Sequence, residues 1–230
     1  MDLRAAPDTA LLLDAAGTLL RPAESVVRTY ARFAARFGSA ATEASIAAAL
    51  PGIMQRARPL RALRPDWRPY WAEVVEHCTG CADPALLDAL LEYFGRADAW
   101  EVTAGARACA LAVAERGMKV AVVSNWDLRL RGTLQDLGVL EWIDVAVISA
   151  EVGVEKPQPG IFARACARLE VEPAAALHVG DDAGDDVAGA RAAGCAALHW
   201  PREVGSFAAL ARRLLSDPVA PTEPGPFSRS

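Results

Sequence analysis

The alternation of apolar and polar positions changes grammar twice along the chain. Near the start, the run Leu11-Leu12-Leu13 stops at Asp14 and is followed by Ala15-Ala16-Gly17-Thr18-Leu19-Leu20. A short apolar run bounded in this way predicts a buried parallel strand. A carboxylate placed where such a strand runs out lies at the edge where open α/β sheets bind ligands. From residue 21 to 98 the period becomes helical. Val26, Tyr30, Phe33 and Phe37 recur at helix spacing up to Gly38, and Ala-rich sequence around Ile46 is interrupted by Pro51-Gly52. Trp67, Trp71, Val74 and Val75 follow a cap at Asp66, and Leu86, Leu87, Leu90, Leu91 and Phe94 lie between Asp83-Pro84 and Gly95. This stretch carries no strand signal and reads as all-helical.

From Thr103 onward helix and strand alternate. Helices expected over about 104–117, 128–137, 159–169, 184–193 and 205–215 separate strands at Lys119–Ser124, Val145–Ser149, Ala176–Asp181 and Cys195–His199. That order predicts a parallel sheet covered on both faces. The expected fold class is therefore α/β. A Rossmann-like core is formed by 9–20 and 99–216, an all-helical cap is inserted as 21–98 over the C-terminal edge of the sheet, and 217–230 is a loose tail rich in Pro, Ser and Gly.

Composition narrows the class. With 230 residues, 53% hydrophobic and 23% charged, the chain can bury a sizeable core. A net charge of −5 argues against nucleic acid as a partner. No apolar run approaches the roughly 18–20 residues that span a bilayer, and Met1-Asp2-Leu3-Arg4 lacks the basic-then-apolar layout of a signal peptide. A soluble, cytoplasmic monomer or homodimer is expected, without membrane or nucleic-acid partners. The five cysteines are an odd number and favour reduced thiols. Cys109, Cys166 and Cys195 read as core residues, and Cys78 and Cys81 beside His77 lack the second ligand pair of a zinc site. Basic residues are almost all arginine, which makes Lys156, one of two lysines, informative.

Four strand ends thus deliver polar groups to one edge: Asp14, Ser124-Asn125, Lys156 and the run Asp181 to Asp186. The stretches Asp14-Ala15-Ala16-Gly17-Thr18-Leu19, Val122-Val123-Ser124-Asn125-Trp126-Asp127, Glu155-Lys156-Pro157-Gln158-Pro159 and His178-Val179-Gly180-Asp181-Asp182-Ala183-Gly184-Asp185-Asp186 together resemble the haloacid dehalogenase superfamily, in the subfamily with a helical cap after the first strand. The resemblance covers roughly residues 9–200 and is strongest in the core. It implies Asp14 as a nucleophile that forms an aspartyl-phosphate. It implies Lys156 as the residue bridging Asp14 and phosphate, and Gly17, Thr18, Ser124, Asn125, Trp126 and Asp127 as phosphate- or substrate-binding. It also implies Mg²⁺ held by Asp14, the carbonyl of Ala16 and Asp181, with Asp186, and next to it Asp185, as a further ligand or just behind.

One position departs from the pattern. Phosphatases of this superfamily carry a second Asp two residues after the nucleophile, as the proton shuttle, and here that residue is Ala16. Losing general acid–base help costs ~10²–10⁴-fold in rate, least for acyl or aryl phosphates, whose leaving groups need no proton. Asp127, Glu24 and His77 are candidate substitutes from elsewhere. Phosphonoacetaldehyde hydrolases also have alanine there but need a cap lysine, and residues 21–100 contain none. Haloacid dehalogenases have an aromatic residue there and dispense with metal, which the acidic run 181–186 argues against. The expected function is a Mg²⁺-dependent phosphatase acting on a small phosphorylated molecule with weakened acid–base catalysis. The alternative is a catalytically impaired binding or regulatory protein. Arg56, Arg58, Arg61 and Arg64 are expected mostly as a solvated face or as an anion-guiding entrance.

Overall fold

The computed structural model describes residues 4–216; the tail expected over 217–230 lies outside the described residues. The chain begins with β1 (Ala10–Leu13) and, after a tight loop, β2 (Leu20–Pro22). Four helices follow: α1 (Val26–Ala35), α2 (Glu43–Ala57), α3 (Arg68–Thr79) and α4 (Pro84–Gly95). The alternating part comprises β3 (Trp100–Val102), α5 (Ala106–Ala114), β4 (Lys119–Ser124), α6 (Arg129–Asp136), β5 (Val145–Ile148), α7 (Ser149–Val152) and α8 (Pro159–Leu169). It ends with β6 (Ala176–Gly180), α9 (Gly189–Ala192), β7 (Ala196–His199) and α10 (Phe207–Leu215).

The sheet is parallel with order β5-β4-β1-β6-β7. β1 lies at its centre, so Leu11, Leu12 and Leu13 are wholly buried and the apolar run is continuous rather than alternating. Alternation survives as a choice of face. Leu11 and Leu13 join the layer containing Val113, Phe207 and Leu210 of α5 and α10, whereas Ala10 and Leu12 join Ile161, Phe162 and Ala165 of α8. Strand order reverses between β1 and β6. That reversal opens a crevice at their carboxyl ends, where Asp14 and the Asp181–Asp186 loop emerge.

Helices α1–α4 pack around a hydrophobic cluster of their own, centred on Tyr30, Ile46, Ile53, Tyr70, Val74, Leu86 and Leu90. Asp83 caps α4 by accepting from Ala85 N–H at 2.8 Å, with Pro84 in the first turn. Asp66 accepts from Arg68 N–H at 3.1 Å, as a cap would, while the helix entrance itself is formed by Trp67 at φ +51°. No helix among the described residues is long and apolar enough to cross a membrane.

Three features differ from the sequence expectation. Residues 20–22 and 100–102 form a two-stranded antiparallel ladder at the root of the helical segment. Three-residue strands carry no readable period, and their pairing joins positions about 80 apart, so only tertiary structure reveals them. Pro51 does not break its helix: α2 runs through it, held by the reciprocal Thr42/Ser45 capping box and by buried Ile46, Ile53 and Ala57. The expected helix 184–193 starts as a π-helical turn, Ala183–Ala188, and becomes regular only at α9.

A proline inside α2 forgoes one backbone hydrogen bond and crowds the preceding turn. Pro51→Ala is therefore expected to stabilise the protein by about 1–3 kcal/mol, seen as a higher urea midpoint at unchanged slope; an unchanged midpoint would show that the local helix already absorbs the proline.

Candidate active site

The loop after β1 is wound tightly. Leu20 N–H donates to Ala15 carbonyl at 2.7 Å, Gly17 N–H to Leu20 carbonyl at 2.9 Å and Thr18 N–H to Ala15 carbonyl at 3.3 Å. The amides of Gly17 and Thr18, residues expected to bind phosphate or substrate, are thus spent within the turn, and the Thr18 side chain is fully buried with its hydroxyl unpartnered. Gly17 has a different task. It sits at φ +86°, and a Cβ there would lie 2.3 Å from Asp181 Oδ2. Glycine is what lets the loops after β1 and β6 touch. Gly180 does the same for Asp186, whose Cγ would be 2.2 Å from an added Cβ.

These close approaches gather the charged groups. Lys156 Nζ, 2% exposed as a residue, donates to Asp14 Oδ1 at 2.6 Å and to Asp186 Oδ1 at 2.5 Å. Ser124 Oγ, at the end of β4, donates to Asp14 Oδ1 at 3.2 Å. Asp186 also accepts from Asp182 N–H at 3.0 Å and from His178 Nε2 at 2.9 Å. Burial holds His178 below the usual histidine range despite that contact, so the neutral ring donates from Nε2 and leaves Nδ1 buried without a partner. Burial, helped by the charges of Asp186 and Asp181 and opposed by Lys156, also pushes Asp14 up to about 6. Burial and Asp186 raise Asp181. Lys156 loses to burial but gains more from its two carboxylates and stays above its ordinary value. Against the cost of burial, His178 and Lys156 hold Asp186 well below the usual carboxylate range.

Asp14, Asp181 and Asp186 each place a carboxylate oxygen within 4.8 Å of the others, an arrangement that can hold a metal ion. Three carboxylates against one ammonium leave the cluster short of positive charge. Asp182 instead caps the following turn, accepting from Gly184 and Asp185 N–H at 2.7 Å each. Asp185 accepts from Asn125 Nδ2 at 3.3 Å and from Arg58 at 3.0 Å.

The remaining expected residues divide. Asn125 fixes the lysine loop: it accepts from Lys156 N–H at 2.7 Å and donates to Lys156 carbonyl at 2.9 Å. Trp126 lines a cavity of about 360 Å³ that opens onto Ala16, Gly17 and Asp181 and is roofed by the helical segment. Asp127 is not in that cavity. It is fully buried and accepts from Arg129 and, at 2.9 Å, from Trp71 Nε1 of α3. Glu24 is held by Thr29 and Arg32, and His77 contacts Arg56. The four arginines also divide. Arg56 and Arg64 keep local partners, His77 and Asp66. Arg58 reaches across to Glu155, Asp185 and the Lys156 carbonyl, and Arg61 bonds Glu155 and the Tyr70 hydroxyl while stacking on Trp67. Sequence reasoning missed His178, although a histidine in the apolar strand Ala176–Gly180 is itself a signal. It also missed Trp71 and Arg58 as bridges to the sheet, which no local pattern reveals.

A carboxylate, a lysine and a serine converging at the switch point of a parallel sheet, beside an acidic cluster, define a hydrolase-type site. The chain belongs to the haloacid dehalogenase-like hydrolase family, whose model matches residues 9–194. It is similar to haloacid dehalogenase-like hydrolase domain-containing protein 3 of Danio rerio, 33% identical over 74% of this chain and 76% of that protein. The Mus musculus protein of the same name is 40% identical over 55% of this chain, and the match spans about half of that relative's length (53%). A glyceraldehyde 3-phosphate phosphatase of Methanopyrus kandleri is 41% identical over 38% of each chain. Among solved structures, L-2-haloacid dehalogenase from Xanthobacter autotrophicus, with chloropropionic acid covalently bound, superposes with a TM-score of 0.66 at 25% identity, covering 93% of this chain and 84% of that one.

Gly17→Ala combines left-handed strain with the Asp181 clash, whereas Gly38, at φ +76° with nothing within 4 Å, would suffer strain alone. Gly17→Ala is expected to lose ~1–3 kcal/mol and more than Gly38→Ala, measured by urea unfolding of both. Equal losses would mean that Asp181 moves aside freely.

Proposed function

We propose that the protein is a Mg²⁺-dependent phosphatase acting on a small phosphorylated molecule through an aspartyl-phosphate at Asp14. The observation that carries this reading is the double grip on one oxygen of Asp14. Lys156 and Ser124 both bond Oδ1, which leaves Oδ2 for attack beside Asp181. The donor set fits the ion, since hard carboxylate and carbonyl oxygens with a deficit of positive charge are what Mg²⁺ takes. Asp14, Asp181 and the Ala16 carbonyl would hold it, with Asp186 engaged behind them by Lys156 and His178. When bound, it supplies neutralisation of the charge that develops on the transferring group.

The chain's own residues do the rest. Lys156 keeps a positive charge where two anions must meet, and Ser124 can exchange its one O–H bond from Asp14 Oδ1 to a phosphate oxygen. The Asp14 carboxylate attacks phosphorus in line, the bond from phosphorus to the leaving oxygen breaks, and water then attacks phosphorus to release phosphate and restore Asp14. A proton donor for the leaving oxygen is not provided by the candidates considered: Glu24, His77 and Asp127 all lie outside the cavity lining, and Ala16 carries only a methyl group. The reading therefore favours activated phosphates. The phosphatase name of the Methanopyrus relative supports phosphoryl chemistry, and the chloropropionate complex of the structural neighbour makes 2-chloropropionate the natural competing substrate.

Hydrolysis of 4-nitrophenyl phosphate is expected to require Mg²⁺, to fall to background in Asp14→Asn, and to have no counterpart in chloride release from 2-chloropropionate. Equal rates in wild type and Asp14→Asn would leave a binding protein; chloride release without added metal would make it a dehalogenase. Ala16→Asp is expected to raise kcat for alkyl phosphates by about 10²-fold, the low end of general acid–base help. An unchanged rate would show that another group already supplies the proton.

A further inference from the structure

We infer that the phosphorylated molecule carries a flat, apolar aryl or aryl-like enol group, seated in the tryptophan-lined cavity between helical segment and sheet. This deepens the phosphatase reading and rests on it. Four of the chain's six tryptophans, Trp67, Trp71, Trp100 and Trp126, face this one space. They come from α3 and its entrance, from β3 and from the loop after β4, so three separate pieces of chain converge on it. Aliphatic wall is added by Leu50, Met54 and Leu91. The volume of about 360 Å³ lies within the ~300–1,000 Å³ usual for small-molecule sites.

The charged groups of the wall are largely occupied, and the indoles of Trp71 and Trp100 are bonded to Asp127 and to the Phe94 carbonyl, whereas the Tyr30 hydroxyl and the indole N–H groups of Trp67 and Trp126 have no hydrogen bond among the described residues. Arg129 is bound to Asp127 and to the Leu91 carbonyl, and Arg61 to Glu155 and Tyr70, with only its Nε unpartnered. Among the lining residues Asp181 is the sole carboxylate, at the mouth where phosphate would sit, and Asn125 beside it is tied to the Lys156 loop. A sugar phosphate would bring several hydroxyls to a wall whose free groups are one phenol and two indole N–H groups, so most of them would be desolvated without replacement. An aromatic ring meets instead the edges and faces of indoles.

The same wall explains how the reaction can proceed without the missing acid. When the Asp14 carboxylate displaces the leaving group, the electron pair of the broken phosphorus–oxygen bond goes to an aryloxide or enolate. Such an anion departs unprotonated and takes its proton from solvent after release, and water then cleaves the aspartyl-phosphate to inorganic phosphate. Ala16 lines the cavity beside Gly17 and carries only a methyl group, where a second carboxylate would repel a departing anion. Loss of the acid and gain of the apolar cage are thus consistent with one class of substrate.

The test compares kcat/KM with Mg²⁺ for 1-naphthyl phosphate, phenyl phosphate, glycerol 3-phosphate and acetyl phosphate, the last needing neither acid nor cage. Naphthyl is expected to exceed phenyl by at least about tenfold, the usual gain for added apolar surface in a fitting pocket, with glycerol phosphate lowest. Met54→Glu places a charge in the partly exposed part of the wall and is expected to collapse the naphthyl-to-acetyl ratio at least about tenfold through KM, with its melting curve checking the fold. Calorimetry with Asp14→Asn is expected to show naphthyl phosphate binding at least about tenfold more tightly than inorganic phosphate. If acetyl phosphate is hydrolysed but naphthyl has no advantage and the variant leaves the ratio unchanged, the inference falls and the phosphatase reading stands. If no phosphate is hydrolysed, acetyl phosphate included, the phosphatase reading falls and takes the inference with it.

Discussion

The site depends on a single buried ammonium shared by two carboxylates. Lys156 lies 2.6 Å from Asp14 and 2.5 Å from Asp186, and all three side chains are almost out of solvent. Removing one partner from such a buried set leaves charge uncompensated, at a cost of about 3–5 kcal/mol. Lys156 therefore couples folding to chemistry. Its chain segment must be where Asn125 holds it, β6 must present His178, the turn after β6 must present Asp186, and β1 must end within reach. No strand in the central three of the sheet can shift register without breaking this arrangement.

Close packing of loops is the second constraint. Asp181 and Asp186 can approach the end of β1 only because Gly17 and Gly180 lack side chains at points where a Cβ would overlap a carboxylate. Beyond the mouth, polarity changes sharply. The acidic, lysine-bridged floor belongs to the sheet, whereas the space above it is walled by leucines of the helical segment and by indoles from that segment, from β3 and from the loop after β4. Trp71 bonding Asp127 and Arg58 bonding Glu155 and Asp185 join the two layers. These contacts place charged arginine heads against the sheet edge and leave the apolar faces of the helices toward the cavity. Charge is concentrated at the strand ends, and apolar surface surrounds the cavity above them.

Much of this was legible along the chain. The apolar run ending at Asp14, the alternation after Thr103 and the sparse lysines point to a parallel sheet with Asp14, Ser124, Lys156 and Asp181 at one edge, because burial on both faces and ligand placement at strand ends are local consequences of β–α alternation. Only tertiary structure decided which of the neighbouring polar residues serve that edge. Asp127 follows Asn125 by two positions yet turns inward to Arg129 and Trp71, and the amides of Gly17 and Thr18 close their own turn. Arg58 and Arg61 join the sheet edge while Arg56 and Arg64, at similar spacing, bond within the helical segment. The physical reason is that side-chain partners in the site are set by distances between segments up to about 140 residues apart in sequence (Lys156 and Asp14 are 142 apart, Arg58 and Asp185 127). Periodicity encodes which face of an element is buried and carries no record of what that face will meet.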